Sequence, residues 1–355
     1  MPTILATGGL GFIGSHTCAV LLEKGFDVLV IDSLENSVED VFYQIKKILN
    51  FEKSSKKGNF SFRKGDVRDK EFLRKIFEEY KLSGNEIEVV IHFAGLKAVG
   101  ESVFKPLSYW DVNINTTISL LSIMDEFKCN NLIFSSSATV YKLEILMNEK
   151  VTEESTLSPI NPYGNTKLTI EKILSDVSQS ESEKWRIANL RYFNPVGAHE
   201  SGLIGENPKD KPNNLLPMLL KVINKEKKEL SIYGNDWPTK DGTCVRDFVH
   251  VMDLAEAHVA ALEFLLNNEP QIINLNIGTG EGTSVLELVN SFMNTNKCDL
   301  PYVFERRRPG DVPYSVADNT KALKLLDWKP SRSIEDICKD TWRWNKANIK
   351  KEKLT

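Results

Sequence analysis

Short apolar runs alternate with segments of helical spacing along the first half of the chain. Thr3-Ile4-Leu5-Ala6-Thr7, Asp27-Val28-Leu29-Val30-Ile31 and Phe60-Ser61-Phe62-Arg63-Lys64 each read as a strand. So do Ile87-Glu88-Val89-Val90-Ile91-His92, Asn131-Leu132-Ile133-Phe134 and Arg186-Ile187-Ala188-Asn189-Leu190-Arg191. Helical patterns fill the gaps: 17–25, closed by a glycine; part of 36–58; 69–80; 107–127; and the segment from Pro162. This alternation predicts an α/β fold, a doubly wound parallel sheet with helices on both faces. After about residue 195 the pattern turns irregular, with helices near 214–226, 251–266, 284–294 and 333–347 among short strands and loops. The expected organisation is a sheet domain over 1–195 and a smaller C-terminal α/β lobe over 196–355, some C-terminal segments returning to the sheet domain. The polar stretch from Lys346 to Thr355 is expected to fray.

The first strand runs into Gly8-Gly9-Leu10-Gly11-Phe12-Ile13-Gly14-Ser15-His16, and the second closes at Asp32. Strand, glycine turn, helix, strand and acid together form the dinucleotide-binding pattern, so the sheet is expected to be of Rossmann type. Gly8, Gly11 and Gly14 would make the tight turn, admit a pyrophosphate to the backbone and let helix and strand pack closely. The helix N-terminus would face the phosphates. Asp32 stands 18 residues beyond Gly14, where an acid can bind ribose hydroxyls. A carboxylate there repels a 2′-phosphate, which favours NAD over NADP. Asp66, at the end of the third strand, could reach an adenine amino group or cap the next helix. Phe93-Ala94-Gly95-Leu96-Lys97 puts small residues at the end of the fourth strand, which suits a backbone close to a cofactor. His92 reads as a core histidine, and Lys53-Ser54-Ser55-Lys56-Lys57-Gly58 as a solvated tip.

The 355 residues are 41% hydrophobic, ample for a core, and a net charge of −4 supplies no basic field for nucleic acid. Arg306-Arg307-Arg308 is an isolated basic triplet on an acidic chain. No run of about 18 apolar residues could span a membrane, and the chain opens in a strand pattern without a signal-peptide layout. Five scattered cysteines, never in Cys-x-x-Cys, favour reduced thiols and a cytoplasmic protein. Five histidines without ligand spacing give no support for a metal. The chemistry centres on Pro162-Tyr163-Gly164-Asn165-Thr166-Lys167. Proline suits the first helical position, and Tyr163 and Lys167, four apart, share a helix face. An ammonium one turn away would stabilise a phenolate, making the pair a proton-transfer device; a packed ring beside a solvated lysine has the same spacing. Ser135-Ser136-Ser137, at the end of the fifth strand, puts hydroxyls at the sheet edge where ligands bind.

These motifs resemble the extended short-chain dehydrogenase/reductase family and, within it, the epimerases acting at C4 of UDP-glucose and UDP-galactose. The resemblance covers nearly the whole chain. It includes Thr7-Gly8-Gly9-x-Gly11-x-x-Gly14-Ser15-His16, His92-Phe93-Ala94-Gly95-Leu96-Lys97-Ala98-Val99-Gly100-Glu101-Ser102, the Ser135–Tyr141 segment and Pro162-Tyr163-Gly164-x-x-Lys167. It continues through Leu190-Arg191-Tyr192-Phe193-Asn194-Pro195-Val196-Gly197-Ala198-His199, Val245-Arg246-Asp247-Phe248-Val249-His250-Val251 and Arg308-x-Gly310-Asp311.

The resemblance implies that Ser137, Tyr163 and Lys167 are catalytic. Tyr163 would remove the proton of the sugar 4-hydroxyl, Ser137 would place that oxygen, and Lys167 would hold the nicotinamide ribose. C4 would give its hydride to tightly bound NAD, the 4-keto sugar would turn over, and the hydride would return to the other face. Cofactor contacts would fall on Gly8, Gly11, Phe12, Ile13, Gly14, Asp32, Asn36, Ser37, Asp66, Val67, Phe93, Ala94, Gly95, Lys97, Tyr163, Lys167 and Phe193. The UDP-sugar would meet Lys97, Ser137, Tyr163, Asn194, Asn214, Leu215, Arg246, Phe248, Arg308, Asp311 and Ser315. Two arginines from separate segments suit a diphosphate, which guanidinium pairs bidentately. A homodimer would form through helices equivalent to 107–127 and 162–179.

The chain departs from the family pattern in places. Lys142, followed by Leu143-Glu144-Ile145-Leu146, stands where glycine is usual, and Phe248 where tyrosine is common. The position aligned with Ser315 gates the sugar pocket in the family, so a small residue there would admit UDP-GlcNAc and UDP-GalNAc; a one-residue shift would put Tyr314 at the gate. Other readings remain. A 4,6-dehydratase needs carboxylates beside its catalytic hydroxyl residue, and Ser137 is followed by Ala138, Thr139 and Val140. A relative acting on UDP-glucuronate is an alternative, since fold does not fix function. A non-catalytic NAD-binding regulator would predict a damaged Tyr-x-x-x-Lys pair.

Overall fold

The computed structural model describes residues 2–51, 58–142, 149–209, 214–308 and 310–352. The charged tip at 53–57 and the departing segment 143–146 lie outside them. The chain opens with β1 (Thr3–Thr7), α1 (Phe12–Glu23), β2 (Asp27–Asp32), α2 (Asp40–Phe51), β3 (Phe60–Lys64), α3 (Lys70–Leu82) and β4 (Ile87–His92). Then come α4 (Val99–Phe104), α5 (Pro106–Glu126), β5 (Asn131–Ser137), α6 (Pro162–Ser180) and β6 (Arg186–Tyr192). The remainder is β7 (Asn194–Val196), α7 (Leu215–Ile223), β8 (Leu230–Tyr233), β9 (Val245–Arg246), β10 (Phe248–His250), α8 (Val251–Asn267) and β11 (Gln271–Ile277). It closes with β12 (Thr283–Ser284), α9 (Val285–Asn296), β13 (Tyr302–Glu305), β14 (Tyr314–Ser315), α10 (Thr320–Leu326) and α11 (Ile334–Glu352).

Seven parallel strands form the main sheet in the order β3-β2-β1-β4-β5-β6-β11. Ile4, Leu5 and Ala6, Val28 to Ile31 and Val89 to Ile91 are buried on both sides of it, as near-continuous apolar strands of a covered parallel sheet should be. Helices α1, α2 and α8 pack on one face. Helices α3, α5 and α6 pack on the other. Strand order reverses between β1 and β4, which opens a crevice at the strands' C-terminal ends. The seventh strand, β11, is drawn from beyond residue 196, so the chain re-enters the large sheet after leaving it.

A third core, built from α7, α9, β8, β10 and α11, lies in the second half. Small sheets stitch this half together: β7 with β10, β9 between β12 and β14, and β8 with β13. They bring 194–196, 245–250 and 314–315 to one region. Three details differ from the sequence expectation. β5 runs through Ser137, because pairing with β6 continues to Ser137 opposite Tyr192. The short helices α4 and α10 were not anticipated. The polar C-terminal stretch continues α11 to Glu352 instead of fraying at Lys346.

Candidate active site

The glycine turn is shaped by close approach. Gly8 has φ +69, and a Cβ there would lie 2.8 Å from the Ala94 nitrogen. A Cβ on Gly14 would lie 2.6 Å from the Gly8 carbonyl oxygen. Any side chain would push α1 away from the strand ends. Gly11 is the N-cap of α1 and offers no side chain to its first amides, and no acid sits in that first turn; the helix end is therefore open to an anion. Asp32 is buried and accepts from Leu10 N (3.0 Å), Leu34 N (2.9 Å) and Ser37 Oγ (2.8 Å), which pins the loop beside the turn. Asn36 Oδ1 accepts from Lys209 N at 2.9 Å.

Asp66 does not cap α3; Asp69 does, accepting from Phe72 N at 3.0 Å. Arg68 pairs with Asp66 at 2.7 Å and holds its carboxyl below the usual range. Val67 is buried in the core. Phe93 packs beside His258, and Lys97 Nζ bonds Glu206 at 3.3 Å. His92 is a core histidine, bonded to Thr7 (2.7 Å) and Thr117 (3.1 Å).

The three residues expected to be catalytic meet between β5 and α6. Asn161 caps α6 by accepting from Gly164 N at 2.9 Å, with Pro162 in the first turn. Ser137 Oγ accepts from Thr139 N (3.2 Å) and Thr139 Oγ1 (3.0 Å). Burial pushes the Tyr163 phenol up to about 12, and the Ser137 hydroxyl opposes this by bonding to it. Lys167 is 5% exposed and donates to the Ser135 carbonyl at 2.6 Å. Its Nζ stands 4.8 Å from the Phe134 ring centre and 5.8 Å from that of Tyr163. Burial lowers this lysine to about 7, with Glu171 acting against the shift. The lysine's first hydrogen-bond partner is thus the Ser135 backbone carbonyl, and its charge sits beside the phenol ring without a direct bond to it.

The remaining residues expected to bind substrate lie in the second half of the chain. Arg246 pairs with Asp311 at 3.1 Å and donates to the Val312 carbonyl at 2.9 Å. Arg308 lies over the Tyr233 ring at 3.9 Å. Asn214 is the N-cap residue of α7 and its amide bonds Glu206 at 2.8 Å; Leu215 begins the helix. Asn194 N bonds the Asp247 carbonyl at 3.0 Å. Phe193 and Phe248 are buried, Phe248 within the apolar core of the second half. In the β9–β14 pairing Ser315 stands opposite Arg246 and Tyr314 opposite Val245. Val245, Tyr314 and Val316 crowd Gly282, so Ser315 shares the other face with Arg246.

Sequence reasoning passed over a buried polar network behind these residues. Glu171 and Arg191 form an ion pair at 2.7 Å, 6% and 1% exposed. Ser136 Oγ donates to Glu171 at 2.5 Å, Arg191 Nη1 to Tyr141 Oη at 2.9 Å, and Tyr141 Oη to Asn276 at 2.6 Å. The available signal was Glu171, one turn beyond Lys167 on the same helix face.

A family model described as GDP-mannose 4,6 dehydratase matches residues 5–341. The chain is similar to a UDP-glucose 4-epimerase of Bacillus subtilis strain 168, 46% identical over 346 residues, which cover 98% of this chain and 97% of the relative. Among solved structures it is similar to a UDP-glucose-4-epimerase from Stenotrophomonas maltophila with bound NAD and formylated UDP-arabinopyranose. The TM-score is 0.92 at 42% identity, covering 99% of this chain and 100% of that one. It is also similar to a UDP-glucose 4-epimerase from Bifidobacterium longum in complex with NAD+ and UDP. There the TM-score is 0.89 at 43% identity, covering 98% and 99% of the two chains.

Proposed function

The chain belongs to the UDP-glucose 4-epimerases of the extended short-chain dehydrogenase/reductase family, and on that premise we propose that it interconverts UDP-glucose and UDP-galactose with NAD kept bound through turnover. The enzyme is an isomerase. The residues fit NAD: a turn that no Cβ could enter at Gly8 and Gly14, an open helix end at Gly11, and a buried acid at Asp32. NAD held there supplies a reversible hydride acceptor, so the reaction has no net redox change.

The protein's own groups do the rest. Tyr163 takes the proton from the sugar 4-hydroxyl and returns it after the 4-keto sugar has turned over. Ser137, beside the phenol, would hold the reacting oxygen. Lys167 holds the nicotinamide ribose and supplies positive charge. Arg246 and Arg308 hold the diphosphate, with Asn194 and Asn214 beside them, and positioning carries much of the rate. The observation that carries this reading is the meeting of Ser137, Tyr163 and Lys167 at the end of β5. The partner of Ser137 is Thr139 rather than a carboxylate, which speaks against dehydration. Tyr163→Phe tests it. Turnover should fall about 100-fold or more while NAD stays bound; an unaffected rate would sink the reading and favour a non-catalytic NAD-binding protein.

The sugar range extends to UDP-GlcNAc and UDP-GalNAc. Ser315, not Tyr314, shares a face with Arg246, and a serine leaves room for an N-acetyl group. The catalytic unit is the 1–195 domain with the returning β11, and 196–355 supplies the UDP-sugar lobe. The molecule acts as a homodimer through α4, α5 and α6, whose exposed side includes Phe104 and Leu107, 87% and 82% exposed, and Trp110. All five cysteines are free thiols, as suits the reducing cytoplasm. No helix among the described residues is long and apolar enough to cross a membrane.

A further inference from the structure

We propose that Glu171 is a positioning residue for the reaction, fixing both the place and the charge of Lys167 from one helical turn away. The inference rests on the epimerase reading above. Lys167 and Glu171 are i and i+4 on α6, so their side chains rise on one face. Glu171 cannot swing. Its Oε1 accepts from Ser136 Oγ (2.5 Å) and Arg191 Nε (3.0 Å), and its Oε2 accepts from Arg191 Nη2 (2.7 Å). Arg191 is held in turn by Tyr141 Oη (2.9 Å) and the Glu153 carbonyl (3.1 Å). Through Ser136 the carboxylate also grips β5 between Ser135, whose carbonyl takes the lysine's proton donor, and Ser137.

The surroundings of Lys167 leave Glu171 a distinct role. Tyr163 shares its helix face, Phe134 and the Ser135 carbonyl come from β5, and His92 from β4; Tyr192 from β6 and Tyr109 from α5 act on Tyr163, and Arg191 from β6 on Glu171. The tyrosines and His92 are pushed toward their neutral forms by burial. Glu171 is the charge that acts to keep the lysine protonated against burial, which brings it down to about 7. Without that carboxylate the lysine would be largely neutral at physiological pH, and the positive charge the reaction needs beside Tyr163 would be lost.

The test is the pH dependence of kcat and KM for the NAD-loaded wild type, Glu171→Gln, Glu171→Asp and the double variant Glu171→Gln/Arg191→Met. The double variant keeps the network free of an orphaned buried charge and so guards against a single variant that does not fold. Removal of the carboxylate should move the alkaline fall of kcat to lower pH by about one unit, with KM nearly unchanged, in every Gln variant that folds. Glu171→Asp should restore the wild-type limb. A second readout needs no turnover: the tyrosinate absorbance assigned by difference from Tyr163→Phe should appear at higher pH when Glu171 is neutral. Unmoved pH limbs and an unmoved tyrosinate titration, with loss only of Tm, would overturn the proposal and leave Glu171 a structural strut. A wild type without turnover would instead defeat the epimerase reading, and the absorbance titration would still judge Glu171.

Discussion

The proposed sugar range turns on one residue, Ser315. Its backbone is tied into β14, with Asp247 N bonding the Ser315 carbonyl at 3.1 Å, so its side chain has no freedom to leave the Arg246 face. Ser315→Tyr should therefore lower kcat/KM for UDP-GalNAc at least tenfold while leaving UDP-galactose nearly unaffected; equal loss for both sugars would show that the residue does not gate the N-acetyl group. At this scale the sequence was most legible where chemistry demands a residue type locally. The steric requirements at Gly8 and Gly14 could be read from spacing. The state of Lys167 could not. It depends on burial under α6 and β5 and on a carboxylate clamped by Arg191 from β6, and neither is visible without the register of the strands. Breaking that buried pair by Glu171→Ala should destabilise the protein by about 3–5 kcal/mol, measured by urea unfolding; a change below about 1 kcal/mol would mean that Arg191 finds other partners.

Among the elements, α4 and α5 carry an apolar side that nothing else among the described residues covers. Phe104, Leu107 and Trp110 stand at their junction, and exposed apolar residues gathered in one place favour association. If the proposed homodimer uses this face, Leu107→Asp should lower the sedimentation coefficient from that of a dimer to that of a monomer at micromolar concentration, with the helical content unchanged; an unchanged coefficient would contradict a dimer contact here. Elements with marked apolar runs were legible, β1, β2 and β4 among them. The end of β5 was not, because a run of serines has little strand preference and is held extended only by pairing with Leu190 to Tyr192. Helix α4, six residues long, was hidden for the converse reason: too few turns to show a period.

The whole molecule is most exposed to acid. His16, His92 and His258 are fully buried, and burial brings them to about 3, about 3 and about 4. In the unfolded chain each takes up a proton near ~6.5. Below that pH the unfolded state binds more protons than the folded one, so stability falls as pH drops from about 6.5 toward 4. Calorimetric Tm should decline steadily across that window; a flat Tm would mean the histidines protonate without cost in the fold. The double winding was legible at this scale, but the return of β11 to the sheet was not placed, since nothing local distinguishes Gln271 to Ile277 from a strand of the second half. The central claim is that this scaffold holds its own NAD and epimerises a UDP-sugar, and the direct test is to incubate the purified protein with UDP-galactose and no added nucleotide. UDP-glucose should accumulate to equilibrium; its absence, with and without supplied NAD, would contradict the assignment.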